Sequence, residues 1–173
     1  MTIAAPDPTA HAAYKAGALA FVIACATIIA ALGFEYLGGY LPCPLCLQQR
    51  YAYYVGVPLL FAALVLISAG QRQPASLIFL FVALAFLANA GLGVYHAGAE
   101  WHFWPGPDTC AGSQDITTTA GGLLDALTTT NVVRCDEAAW RFLGVSFAGW
   151  NVVVSLIVSI ASFRAASDSF RSE

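Results

Sequence analysis

Four long apolar runs limit what this chain can fold into. Ala16 to Phe34 contains FVIACATIIAAL, Tyr51 to Gly70 contains VGVPLLFAALVLI, Pro74 to Ala99 contains SLIFLFVALAFL, and Phe142 to Phe163 contains WNVVVSLIVSIASF; none carries a charge. A helix needs roughly 20 apolar residues to cross a bilayer. Charged residues make up only 10% of the chain, against about 25% in soluble domains. So few charges could not cover a water-facing surface. No run alternates strictly, so a β-barrel is not expected. The expected fold is all-α, a four-helix transmembrane bundle forming a single membrane domain over residues 1–173. The spans are expected near 15–36, 47–70, 74–97 and 142–164, with exofacial loops near 37–46 and 98–141. The first run is too long for a cleavable signal and its basic flank is a single Lys15. Residues 1–12 read as a disordered tail. The formal net charge is −3 with no basic stripe, so no nucleic acid partner is expected.

Four crossings put both termini on one side and the first and third links on the other. Cys43, Cys46, Cys110 and Cys135 all lie in those two links. Lys15, Arg72, Arg164 and Arg171 flank the side of the termini, against Arg50, Arg134 and Arg141 opposite. Disulfides persist outside the cytosol. Both observations place the termini in the cytoplasm and the cysteine loops outside it. Within the long link, ITTTAGGLLDALTTTN sets Leu123, Leu124 and Leu127 opposite Asp125 and is expected as a short amphipathic helix on the membrane surface. Asp136 and Glu137 suit the first turn of a helix. Trp140 and Trp150 bracket the start of the fourth span, as residues at a membrane interface do.

Cys43 and Cys46 form a CxxC pair between Pro42 and an apolar run. A helix beginning near Cys46 would stabilise a thiolate there through its free backbone N–H groups. Arg50 follows at i+4 and would project from the same face. Three readings fit the spacing: a redox pair, a structural disulfide beside a snorkelling arginine, and a zinc site built from the four exofacial cysteines. Cys25 lies within the first run and is assigned no function.

The residues PCPLCLQQR, the stretch PGPDTC, and CDEAAWRFLG before the last run together resemble the bacterial disulfide bond formation protein B (DsbB) family over almost the whole chain. The resemblance implies an inner-membrane enzyme that reoxidises a periplasmic DsbA-like thiol oxidase and passes electrons to a membrane quinone, ubiquinone or menaquinone. By that resemblance Cys110 is attacked by the reduced partner, Cys135 leaves and passes electrons toward Cys43, and Cys46 is freed as a thiolate beside the quinone. Arg50 would stabilise that thiolate and polarise a quinone carbonyl; no metal is implied. Gln49 departs from an acid found before the arginine in some members, so His96, and more weakly Glu100 and His102, become candidates to supply protons to the quinone. The alternatives are a vitamin K epoxide reductase-like quinone oxidoreductase, which would be expected to carry its shuttle cysteines in the first link, and a non-enzymatic membrane protein with structural disulfides or a metal site.

Overall fold

The computed structural model describes residues 8–107 and 135–170. Residues 1–7 of the expected tail, the amphipathic segment around Leu123 and Cys110 lie outside the described residues, whereas residues 8–12, expected as disordered tail, are helical. Among the described residues four helices are long and apolar enough to cross a membrane: α1 Pro8–Tyr36, α2 Pro44–Ser68, α3 Arg72–Glu100 and α4 Phe147–Phe170. They form a bundle in which α1 packs on α2 and α4, and α3 packs on α2 and α4.

Close approach rests on small residues, since lipid gives helices no hydrophobic reason to associate. A Cβ on Gly17 would lie 2.5 Å from the Phe79 ring, and one on Gly56 would lie 2.5 Å from the Phe86 ring. Both rings are fully buried. Serine hydroxyls tie α3 to α4: Ser159 donates to the Ala83 carbonyl at 2.8 Å and Ser76 to the Ala166 carbonyl at 3.0 Å. Leu84, Leu87, Phe61 and Ile160 point outward, where hydrocarbon rather than water would meet them.

The helix ends have specific causes. Pro44 stands in the first turn of α2, where its missing N–H costs nothing. Between α2 and α3 the chain reverses at Gly70, whose φ is +77°. Gln71 N–H then bonds the Leu66 carbonyl at 2.8 Å, closing the helix end. At the end of α3 the same role falls to His102, with φ +58°, and Phe103 N–H bonds the Gly98 carbonyl at 2.9 Å. His102 is therefore an exposed helix-terminating residue.

The fourth span begins at Phe147, later than the apolar run suggests. Leu143 and Gly144 both take positive φ, 54° and 80°, and form a tight turn. The turn joins two short strands, β1 Arg141–Phe142 and β2 Val145–Ser146, which pair antiparallel. Ser146 then caps α4 by accepting from Gly149 N–H at 3.2 Å. Asp136 and Glu137 sit in irregular chain and not in the first turn of a helix.

Candidate redox centre

Pro42 and Pro44 fix the start of α2 at Pro44, two residues before the Cys46 that the sequence suggests. Cys43 becomes the N-cap residue, and its Sγ accepts from Cys46 N–H at 3.2 Å. The two sulfurs lie 2.8 Å apart, and both are free thiols. The sulfur at the helix terminus is thus that of Cys43, whereas Cys46 had been expected there. Its thiol is held down at about 5, chiefly by the hydrogen bond from the Cys46 thiol, with burial opposing and the His96 ring assisting.

His96 Nε2 is 3.5 Å from Cys43 Sγ and 3.8 Å from Glu100 Oε1. Its Nδ1 is 2.8 Å from Gln49 Nε2. Glu100 accepts from the Ser146 hydroxyl, which ties the last turn of α3 to the first turn of α4. Cys135 is buried and disulfide-bonded. Its sulfur, Cys43 Sγ and a His96 ring nitrogen all fall within 4.8 Å of one another. In this disulfide state Cys135 offers no thiolate to a metal, so the trio lacks its third ligand.

On the other side of Cys46 lies a cavity of about 430 Å³ between α1, α2 and α4. Ala30, Ala31, Phe34, Phe147 and Val154 give it apolar walls, while Cys46, Gln49, Arg50, Tyr53 and Asn151 supply its polar groups. Cys46 and Arg50 do share this space, as their spacing suggests. Arg50, however, is already engaged: Nη1 pairs with the Glu35 carboxylate and Nη2 reaches the Ala31 carbonyl at 3.4 Å. Glu35 ends the first apolar run, and its charge at that edge was the available signal. His96 does not line the cavity but stands behind Cys43, in contact with the cavity residue Gln49. Tyr53, Asn89, Asn151 and Ser155 form a polar cluster inside the bundle that the sequence reading did not single out. Asparagines within apolar runs were the signal for it. Trp140 stacks on the cavity residue Phe147 at 5.1 Å between ring centroids, and Trp150, which lines the cavity, donates to the Phe142 carbonyl at 3.2 Å.

Residues 14–165 match the family model described as "Disulfide bond formation protein DsbB". Curated relatives named "Disulfide bond formation protein B" are similar along most of their length. The one from Methylococcus capsulatus is 32% identical over 147 residues, covering 80% of this chain and 84% of the relative. That from Marinobacter nauticus is 28% identical over 152 residues, covering 84% and 87%. That from Aromatoleum aromaticum is 31% identical over 137 residues, covering 75% and 80%. No solved structure matches the chain.

Proposed function

The chain belongs to the DsbB family of disulfide bond formation proteins, and we propose that it is a disulfide-generating oxidoreductase that draws electrons from a DsbA-like dithiol oxidase and delivers them to a membrane quinone. It is a multi-pass membrane protein by its four spans and its family. The observation that carries the reading is the placement of two sulfurs. Cys43 lies within 4.8 Å of the disulfide-bonded Cys135, while its neighbour Cys46 faces the apolar cavity. The CPLC pair therefore stands between a second disulfide and a lipid-soluble ligand's binding space.

In this reading Cys135 pairs with Cys110. A thiolate of the partner attacks Cys110 and releases Cys135, which attacks Cys43 of an oxidised Cys43–Cys46 pair and releases Cys46 on the cavity side. The partner's second thiol then attacks the mixed disulfide and frees Cys110, which attacks Cys135 of the Cys135–Cys43 bond and releases Cys43; the partner leaves oxidised, Cys110–Cys135 is restored, and two electrons rest on a Cys43–Cys46 dithiol. Cys43 suits the last of these steps, in which it is the leaving sulfur, because a sulfur of low pKa leaves quickly. A quinone supplies the two-electron, two-proton sink that returns the CPLC dithiol to a disulfide. The cavity fits such a group: its walls are apolar, and Arg50, Gln49 and Asn151 give it donors at one end. Arg50 would hold a carbonyl oxygen through its planar fork, with Glu35 fixing the guanidinium.

We place the protein in the bacterial inner membrane with cytoplasmic termini and periplasmic cysteines. The basic residues flanking the terminal side and the disulfide at Cys135 support that orientation. The test is a thiol titration of fully reduced protein with and without added quinone, reading each cysteine by peptide mapping. Quinone-dependent loss of the Cys43 and Cys46 thiols is expected. A static disulfide protein shows no dependence on quinone.

A further inference from the structure

Side chains from α2 and α4 form a directional chain that ends on His96 of α3. Tyr53 Oη donates to Asn151 Oδ1 at 2.7 Å, and Asn151 Nδ2 donates to Gln49 Oε1 at 2.6 Å. Gln49 Nε2 then lies 2.8 Å from His96 Nδ1. Each amide has one end that only accepts and one that only donates. With Gln49 Oε1 taken by Asn151, the end facing His96 is an NH₂ group, which cannot accept. Nδ1 is therefore the lone-pair nitrogen, and the neutral ring carries its proton on Nε2. The far end is anchored in the same sense. Asn151 Oδ1 is also faced by Asn89 Nδ2 at 3.5 Å and by the Ser155 hydroxyl at 3.4 Å, both able to donate. Asn89 Nδ2 in turn donates to Ser155 at 3.0 Å. These groups are buried or half-buried, so the chain does not compete with bulk water.

The geometry points to Gln49 and Asn151 as positioning residues that hold His96 as its Nε2–H tautomer, so that the ring donates to the Cys43 sulfur and cannot take that sulfur's proton. The inference rests on the reading of Cys43 as the sulfur that exchanges with Cys135. In that exchange the negative charge on Cys43 gains from a fixed N–H 3.5 Å away. The opposite tautomer would present a lone pair to the same sulfur and disfavour the charge. An amide at position 49 also passes no proton along, which separates His96 from the cavity. Among the described residues four groups face the ring: Cys43 and Gln49 from the start of α2, Glu100 one turn on along α3, and the Cys135 sulfur.

The tautomer is directly observable. The protein is labelled with ¹⁵N-histidine, reduced, held in lipid nanodiscs without quinone or partner, and examined by two-bond ¹H–¹⁵N correlation, with His96→Gln assigning the signal. The wild-type ring is expected to show the proton on Nε2 alone. Gln49→Glu replaces the NH₂ with an acceptor, so a proton appears on Nδ1. Gln49→Leu removes the partner and gives a mixture of the two tautomers. A mixture leaves only a fraction of the molecules with an N–H toward the sulfur, so exchange at Cys43 in Gln49→Leu is expected to slow by about two-fold, in proportion to the fraction lost. A wild-type ring protonated on Nδ1 overturns the inference. So does a Gln49→Leu protein that keeps the Nε2–H pattern unchanged. The spectrum needs no turnover: an Nε2–H ring in a protein that fails to reduce quinone sinks the functional reading and leaves this one standing.

Discussion

Replacing Cys46 by alanine separates the forces that set the charge on Cys43. The Cys43 thiol is held at about 5 against an ordinary 9.0, and the Cys46 thiol donating to it is the largest cause. The difference, 9.0 − 5, is about four units, or roughly 5 kcal/mol at about 1.36 kcal/mol per unit. At neutral pH it raises the thiolate fraction from about 1% to about 99%. Reactivity does not rise in step. Thiolate nucleophilicity falls with pKa along a Brønsted slope of about 0.4–0.5, a loss of roughly 40- to 100-fold over four units. The two effects nearly cancel, so the alkylation rate at neutral pH resembles that of an ordinary thiol. What distinguishes the site is the pH at which reactivity is lost. A depressed pKa means the thiolate is present above about pH 5 and disappears as pH falls through that value. The assay is iodoacetamide alkylation of the reduced protein across pH, with Cys43 read by mass spectrometry of its peptide. The wild-type midpoint is expected near 5. In Cys46→Ala it rises by at least about one unit, while His96 and the backbone N–H keep it below that of a free cysteine. A wild-type midpoint near 9, or one that Cys46→Ala leaves in place, refutes the argument.

Arg50→Lys keeps the charge but not the planar fork, so the apparent KM for quinone is expected to rise with some turnover retained, while Arg50→Ala loses most of both; a flat series across Arg, Lys, Gln and Ala removes Arg50 from the site. Glu35→Gln leaves Arg50 without its carboxylate, and a changed KM for quinone with intact thiol exchange is the expected signature. Gly56→Leu drives a side chain into the Phe86 ring and is expected to destabilise the bundle by about 1–3 kcal/mol in reversible unfolding, where an unchanged midpoint contradicts the packing. A membrane-impermeant thiol reagent should label a cysteine introduced at the exposed Leu37 or Leu143, on the side of the native cysteine loops, in spheroplasts with intact membranes; labelling that requires disruption reverses the orientation.

Much of the architecture was legible because a bilayer imposes its length on the chain. The four runs needed only counting, and CPLC followed by Arg50 marked the end of the bundle where the cavity lies. What escaped depended on contacts between distant residues. His96 and Cys43 are 53 positions apart, and no periodicity reports that a histidine on α3 meets the cap of α2. Glu35 looked like a flanking charge until the fold set it against Arg50. The hairpin at 141–146 was absorbed into the last span because its residues are apolar; only Leu143–Gly144, with two positive φ values, breaks the helix there. Cys43 replaced Cys46 at the helix terminus because a proline in the first turn allows α2 to begin at Pro44.

The three-residue turn Ala69–Gln71 between α2 and α3 has a bearing on biogenesis. Three residues reach at most about 10 Å, against roughly 30 Å of hydrocarbon. Once the end of α2 is lodged at the bilayer face, the start of α3 cannot be carried to the other side. The two segments are therefore expected to enter the membrane as a single helical hairpin, with the turn and the neighbouring Arg72 held on one face. The pair joined in this way brings Cys43, Gln49 and His96 onto neighbouring helices before the last span has been made.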